Sequence, residues 1–179
     1  MPEMIEVQID SVRVHLMTPQ RLVVLKQVGS ERYLPIWVGP YEAEAITVAL
    51  QEVEMIRPLT HDLLKNVILS MGGQVEQVVV TELRDDVFYA RIMVEAHGQK
   101  LEIDSRPSDA LALAVRVRAP IFIDSTVMDK AAVHPEAEMT NEEASTGAAA
   151  ASADLGAFED FVDSLDLDDL EGSEDKPSD

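Results

Sequence analysis

The stretch LEIDSRPSDALALA, residues 101–114, places an alternating strand directly before an apolar helix, with two carboxylates and an arginine at the junction. Pro107 suits the first position of a helix. Ala and Leu surround this helix on nearly every side, which predicts that it is largely buried. The polar strip that remains is formed by Arg106, Asp109 and Arg116. The junction is therefore either a capped helix start with an ion pair, or a site for a divalent cation or a phosphate.

Outward from this junction, short runs of alternating apolar and polar residues predict a series of strands. The alternation changes phase near Ser11, which predicts a bulge in the first strand. The strands are predicted at 4–17, 21–28, 33–38, 74–83, 87–96, 99–104 and 119–123, and the helices at 41–54, 61–71 and 107–117. This order predicts an α+β fold: a compact single domain with a mixed, largely antiparallel sheet packed with about three helices, followed by a flexible acidic tail.

Changes in composition predict four segments along the chain. They are a folded domain at 1–133, a flexible acidic and alanine-rich linker at 134–154, a short amphipathic acidic helix at 155–170 and a disordered end at 171–179. The amphipathic helix has one apolar face, formed by Phe158, Phe161, Val162 and Leu165. That face either folds back on its own domain or, within 158–170, docks into the groove of a protein partner.

Negative charge is concentrated near the C-terminus. The formal net charge is −20, of which residues 1–133 carry −6 (19 acidic and 13 basic side chains) and residues 134–179 carry −14 (15 acidic and one basic). Tight, sequence-independent binding to nucleic acid draws mainly on Lys and Arg at phosphates. The absence of a basic stripe therefore counts against such binding.

The residue types present exclude several classes of site. The sequence has no cysteine, so it forms no disulfide and no thiolate metal site. No apolar run approaches the roughly 20 residues that cross a bilayer, and the acidic, alternating N-terminus is not a signal peptide. The phosphate loop, the Gly-x-Gly-x-x-Gly turn and the His-Glu-x-x-His motif are also missing. We expect a cytoplasmic protein whose functional groups lie at the starts of helices.

Glu42 lies in the first turn of the helix predicted at 41–54. The apolar face of that helix is predicted to comprise Ile46, Ala49, Leu50 and Val53. Glu42 falls about 40° from the centre of this face and Glu44 about 160° away. Glu42 is thus expected to point inward and Glu44 to water. An inward carboxylate at a helix start is either satisfied by backbone N–H groups or functional in a cleft.

His61 and Lys65 lie one turn apart on one flank of the helix predicted at 61–71. Asp62 lies nearly opposite the core stripe and is expected to interact with the helix dipole. His61 is better placed to line a groove beside the core, or it is a structural histidine. Thr60 is the predicted N-cap, and the stripe is predicted to comprise Leu63, Leu64, Val67, Ile68 and Met71.

Four stretches, taken together and in this order, resemble the bifunctional nuclease domain family. They are LPIWVGPYEAEAI (34–46), RPLTHDLLKNVI (57–68), VFYARIMV (87–94) and IDSRPSDALALA (103–114). The resemblance extends over about residues 5–131, and FEDFVDSLDLDDL (158–170) is similar to a short piece that follows this domain in bacterial members. The resemblance implies a compact α+β domain that cleaves both DNA and RNA with little sequence preference and that self-associates into a homo-oligomer.

A nuclease must activate water and stabilise charge on phosphorus, and carboxylates that hold Mg²⁺ or Mn²⁺ do both. We assign His61 as general acid or base, because imidazole groups exchange protons near neutral pH. The other predicted roles fall to Glu42, Asp104 and Asp109 as metal-holding or water-activating carboxylates, and to Arg57, Lys65 and Arg106 as contacts to the phosphates of nucleic acid. The three segments 40–44, 57–65 and 104–109 are then expected to meet in one cleft.

The alternative is a non-enzymatic module that acts in regulation or stress response, with its acidic tail docked on a protein partner. The mild acidity of residues 1–133 and the missing basic patch favour it. A variant joins the two hypotheses: the tail mimics nucleic acid and masks the groove of its own domain.

Overall fold

The structure is a computed structural model, and it describes residues 3–14 and 19–134. The linker, the amphipathic helix and the disordered end predicted for the tail fall in residues 135–179 and lie outside the described residues. Within the described part, none of the helices combines the length and the apolar character needed to cross a membrane.

The described residues form seven strands and four helices, joined by turns and loops. In chain order they are β1 (Met4–Val14), β2 (Arg21–Gln27), β3 (Tyr33–Val38), α1 (Pro40–Leu50), α2 (Thr60–Ser70), β4 (Gly73–Arg84), β5 (Val87–Ala96), β6 (Gln99–Ser105), α3 (Pro107–Val117), β7 (Ile121–Asp124) and α4 (Ser125–Ala131). The α+β class predicted from the sequence is confirmed.

The seven strands form one sheet in the order β3-β2-β1-β7-β4-β5-β6. Every neighbouring pair is antiparallel except β4 and β7, which run parallel. The short strand β7 therefore joins the β1–β2–β3 meander to the β4–β5–β6 meander. The pairing of β1 with β2 shifts register between Ile9 and Ser11, which confirms the predicted bulge. A mixed, largely antiparallel sheet is thus confirmed.

The helix α4 was not predicted. Asp124 ends β7 and caps this helix, since its Oδ1 accepts hydrogen bonds from the Thr126 backbone N–H at 2.9 Å and from the Thr126 hydroxyl at 2.7 Å. An aspartate followed two residues later by threonine is a readable helix start, but the sequence Ile-Phe-Ile-Asp reads first as the end of a strand. The described residues therefore contain α4 in addition to the three helices placed from the sequence.

The helix α1 ends at Leu50, four residues earlier than predicted, and Glu52 follows in the left-handed conformation with φ 51°. Its buried residues are Ala43 and Ile46. Leu50 and Val53 were predicted to face the core and are exposed. The buried face thus lies nearer the N-terminus of the helix than the apolar pattern indicated. Glu44 is exposed, as predicted.

The predicted stripe of α2 is also only partly buried. Ile68 is buried and Leu64 packs against the core, but Leu63, Val67 and Met71 are exposed. The N-cap is Leu59 rather than Thr60, and Asp62 supplies the cap from within the helix by accepting the Leu59 backbone N–H at 2.9 Å.

The centre of the fold is α3, which packs against α1, α2, β4 and β5. Residues 110–114 are each no more than 1% exposed, which confirms the prediction that this helix is largely buried. Burying an alanine- and leucine-rich helix removes a large apolar area from water. Each Å² of buried apolar surface stabilises the fold by about 25 cal/mol. The positions of α1 and α2 are therefore set by their packing on α3.

A buried arginine fastens the three helices together. The Arg116 side chain, 5% exposed, donates Nε–H to Asp62 Oδ1 at 2.7 Å. Its Nη1 donates to the carbonyl oxygens of Ala45 at 2.9 Å and Ala112 at 2.8 Å. Burial alone would raise the pKa of Asp62, but the Leu59 N–H and Arg116 outweigh it and hold this pKa below its ordinary value. Asp62 thus faces Arg116 instead of being a purely solvent-facing carboxylate.

We predict that Arg116→Ala lowers the free energy of unfolding by about 3 kcal/mol, because it leaves Asp62 and a helix carbonyl without their buried partner. Arg118→Ala is the matched control, since Arg118 also forms an ion pair, with Glu52 at 2.9 Å, but one that is exposed on both sides. That variant should lose about 0.5 kcal/mol or less. Urea unfolding measures both, and equal losses would contradict the fastening role of Arg116.

Candidate functional site

Three helix starts meet at one end of α3. Glu42 lies in the first turn of α1, His61 is the second residue of α2, and Asp109 is in the first turn of α3. Arg106 immediately precedes α3 and contacts residues from two of these helices. The predicted convergence of the three segments is therefore realised for these four side chains, and we call them the Arg106 cluster.

Arg106 is the centre of the cluster because Pro107 keeps it out of the helix. It is the N-cap of α3, with φ −72° and ψ 148°, the extended conformation favoured for a residue before proline. Its Nε and Nη2 donate to the two carboxylate oxygens of Asp109 at 2.7 and 3.1 Å. Its Nη1 donates to Glu42 Oε1 at 2.9 Å. These hydrogen bonds raise the pKa of Arg106, and the contact with Asp109 makes the largest contribution. The guanidinium therefore stays charged.

The imidazole of His61 is oriented by the same carboxylate. His61 Nε2 lies 3.1 Å from Asp109 Oδ1, and the side chain is 10% exposed. An ionised carboxylate only accepts hydrogen bonds, so this contact assigns the proton to Nε2 and leaves Nδ1 as the ring nitrogen able to take a proton. Sequence analysis placed His61 beside a groove without showing which group would orient it.

Asp109 is held in its ionised form. Burial would raise the pKa of Asp109, but hydrogen bonds from Arg106 and His61, together with their charge, hold that pKa below its ordinary value. At neutral pH Asp109 is thus a fixed negative charge that positions both Arg106 and His61.

Glu42 folds back over the residue that precedes its helix. A Cβ atom placed on Gly39 would overlap with Glu42 Oε2, so a larger residue at position 39 would displace the Glu42 carboxylate. The Glu42 side chain is 23% exposed and lies at the N-terminal end of α1, where the helix dipole favours a carboxylate. Arg106 and the start of α1 thus hold Glu42 from two sides.

The whole Arg106 cluster lines an open cleft of about 410 Å³, which we call the Arg106 cleft. Its other walls are apolar and polar residues of α1 and of the segment before α2, among them Ala45, Val48, Met55 and Leu59. Clefts with mostly apolar walls and a few convergent polar groups are typical of ligand sites. The cluster therefore has both reactive groups and room for a ligand.

The remaining predicted site residues lie elsewhere. Asp104 is exposed on the edge strand β6, in register with Arg91, and is not among the residues that line the Arg106 cleft. Arg57 lines a different cleft, together with Asp62 and Arg116. Lys65 is half-buried one turn after His61, and its charge helps to lower the pKa of Asp62. The structure brings none of these three into the Arg106 cluster.

The carboxylates of the described residues form no cluster of three or more metal ligands. Between 3–14 and 19–134, no three His, Cys, Asp or Glu side chains are grouped closely enough to hold one. The Arg106 guanidinium lies between Glu42 and Asp109 and forms an ion pair with each, which is the role that a shared cation would fill. The set predicted from the sequence, Glu42, Asp104 and Asp109, is therefore not assembled around a common point.

The chain matches known proteins over most of its length. The family model described as the bifunctional nuclease domain matches residues 23–136. An uncharacterized protein of Mycobacterium tuberculosis is 35% identical over 94% of this chain and 99% of its own length.

Two plant proteins match a shorter region. Bifunctional nuclease 1 of Oryza sativa subsp. indica is 31% identical over 61% of this chain, and Bifunctional nuclease 2 of Arabidopsis thaliana is 31% identical over 59%. The match spans about a third of each plant protein, 34% and 33% respectively. With the four sequence motifs and the matched family model, these relatives show that the chain belongs to the bifunctional nuclease domain family.

Proposed function

We propose that this protein is a nuclease that hydrolyses phosphodiester bonds in DNA and RNA with little sequence preference, and that the Arg106 cleft is its active site. Family membership supports the reaction class. The observation that carries the choice of site is the chain of contacts His61–Asp109–Arg106 on the wall of an open cleft. This arrangement supports the proposal, because an imidazole can accept a proton, a carboxylate can orient it and a guanidinium can bind an anion.

Each of the three groups has one role. His61 Nδ1 takes the proton from the oxygen of the attacking water molecule. Asp109 keeps the imidazole in the required tautomer and stabilises it once it is protonated, as a carboxylate does in other catalytic units of this kind. Arg106 stabilises the negative charge that develops on the non-bridging phosphate oxygens. As the new O–P bond forms, the bond to the leaving oxygen breaks and that oxygen takes up a proton.

Low sequence preference follows from the same contacts. All the groups in the proposed mechanism act on the phosphate or on the attacking oxygen, and such contacts carry no sequence information. The proposed nuclease therefore needs no recognition of particular base edges for catalysis.

Substrate binding must overcome the negative charge of the cluster. Two carboxylates and one guanidinium give a net charge of −1 while His61 is neutral. Asp109 contacts Arg106 through two hydrogen bonds, whereas Glu42 contacts it through one. The substrate phosphate therefore displaces Glu42 from Nη1 and leaves Asp109 in place. In this proposal Glu42 is a counter-ion that competes with substrate.

Four further predictions belong to this proposal. Assistance by a divalent metal, Mg²⁺ or Mn²⁺, is tested by cleavage with each ion and with EDTA. Because the described carboxylates are not grouped for a resident ion, no step above depends on one. Self-association into a homo-oligomer, a protein partner for 158–170 and a cytoplasmic location stay predictions.

The alternative, a non-enzymatic regulatory or stress-response module, is favoured by one observation. Glu42 and Asp109 are already paired with Arg106, as expected if the ion pairs only hold helix starts together. An assay for cleavage by the purified protein decides between the two proposals, because the module hypothesis predicts that no nucleic acid is cleaved.

We predict that His61→Asn lowers kcat/KM for a single-stranded oligonucleotide by about 100-fold or more, which is the usual contribution of general acid–base catalysis. The matched control is His97→Asn, because His97 is exposed at the β5–β6 turn with φ 54°, a conformation that asparagine tolerates. Equal activity of His61→Asn and wild type would remove His61 from the mechanism. Circular dichroism and urea unfolding confirm that each variant is folded.

We predict that Glu42→Gln lowers KM about two- to fivefold and retains kcat, since an exposed ion pair is worth about 0.2–1 kcal/mol. Glutamine removes the competing charge and still offers an oxygen to Arg106. Glu52→Gln, at the surface pair with Arg118, is the control and should leave KM unchanged. A large loss of kcat in Glu42→Gln would instead support Glu42 as a metal-holding or water-activating carboxylate.

A further inference from the structure

A second cleft adjoins the Arg106 cluster on its other side. It has a volume of about 310 Å³ and lies between the end of β3, the β4–β5 turn and the bend before α3. We call it the Trp37 cleft, after the large aromatic side chain among its walls. Arg106 and Glu42 line both clefts, so the Arg106–Glu42 ion pair separates them. A ligand bound in the Trp37 cleft would thus be adjacent to the proposed catalytic groups.

The walls of the Trp37 cleft suit a flat, uncharged ring. Trp37 is 52% exposed, so about half of this large aromatic side chain is accessible to a ligand. Phe88, half-buried on β5, and Pro107 add apolar surface. The charged residues among the walls are Arg106, Glu42 and Asp86, which together carry −1. A second phosphate is therefore disfavoured here, whereas a planar nucleobase can stack on Trp37 and donate an N–H group to a carboxylate.

The charge of the folded part makes such a contact necessary for a nucleic acid ligand. Residues 1–133 carry −6 overall, so they repel a polyanion at long range. Contacts to phosphates supply most of the affinity in basic proteins, and this chain has few cations to offer. Stacking of an unpaired base on an aromatic side chain is worth about 1–3 kcal/mol and tolerates any base. It therefore supplies affinity without requiring positive charge or base-specific contacts.

We infer that the Trp37 cleft is a nucleobase subsite, in which an unpaired base of a single-stranded nucleic acid stacks on Trp37 while a neighbouring phosphate binds Arg106. The inference rests on the proposed nuclease function and deepens it, because it makes single-stranded nucleic acid the preferred substrate. In a duplex the base faces are covered by their neighbours, so a duplex cannot use this subsite without unstacking a base.

The chain offers a direct readout, because Trp37 is its only tryptophan. Full-length protein is titrated with a short oligothymidylate, with an abasic oligomer of the same length and charge, and with a duplex of the same sequence, and fluorescence is recorded within seconds of mixing. We expect saturable quenching by the oligothymidylate and little change with the other two ligands. Equal quenching by the abasic oligomer, or no quenching at all, would overturn the inference.

Variants test the same inference without the tryptophan signal, by the anisotropy of a dye-labelled oligothymidylate. Trp37→Ala should weaken binding about tenfold, the loss of one stacked base, and Trp37→Phe should retain most of the affinity. Tyr33→Ala is the matched control, since Tyr33 lies on the same strand and its ring packs over Lys26 rather than in the cleft. Unchanged affinity in Trp37→Ala would overturn the inference.

The nuclease proposal and the subsite can fail separately. If quenching and the Trp37→Ala defect are found but no oligonucleotide is cleaved, the base subsite stands and the proposed reaction is wrong. If cleavage depends on His61 while Trp37→Ala retains wild-type affinity and KM, the reaction stands and the subsite is wrong.

Discussion

The arrangement of this domain depends on the burial of α3. Five consecutive alanine and leucine residues of this helix are almost completely inaccessible to water, and both α1 and α2 pack on it. An arginine lies at each end: Arg116 fastens α1 and α2 from within the protein, and Arg106 joins Glu42 of α1 to Asp109 of α3 at the surface. The buried helix thus provides stability, and the same helix positions the groups proposed for catalysis.

The two arginines show how similar ion pairs take different roles. Arg116 is 5% exposed and Arg106 is 64% exposed, although each bonds to carboxylate at 2.7 Å. Breaking a buried pair leaves a charge without solvent and is costly, so Arg116 is suited to a fixed structural role. Ion pairs near water are worth little, so Arg106 can exchange Glu42 for a phosphate. Exposure, rather than bond length, distinguishes the structural arginine from the proposed functional one.

Local patterns in the sequence predicted most of the fold and part of the site. Alternation of apolar and polar residues placed β3 and β5 correctly, and the apolar run after Pro107 placed α3, because each element is bounded by a turn or a proline. An ion pair between Arg106 and Asp109, which lie within one turn of each other, was one of the two interpretations that the bend at Pro107 left open. The link from Asp109 to His61, 48 residues away, depends on how α2 packs against α3, and no local pattern encodes that packing.

The errors about the apolar faces of α1 and α2 have a common cause, which is that periodicity does not show how much of a helix is covered by the rest of the protein. Leu50, Val53 and Leu63 fit an apolar stripe but are exposed, since α3 covers only part of α1 and α2. Asp104 is near Arg106 in sequence, yet it belongs to an edge strand, where pairing with β5 fixes its place. Trp37 gave no signal in the sequence beyond strand alternation, because its cleft is formed by segments far apart in the chain.

The most direct test of the central claim is the NMR signal of the Arg106 Nε–H group, recorded during a titration with deoxythymidine 3′,5′-bisphosphate, which contains no phosphodiester to cleave. We expect the Arg106 signal and the ring signals of His61 to shift together and to saturate. The Arg116 Nε–H signal should stay in place, because that side chain is buried away from the Arg106 cleft and serves as an internal reference. Shifts elsewhere with Arg106 and His61 unchanged would contradict phosphate binding at this cluster and place the ligand at another surface.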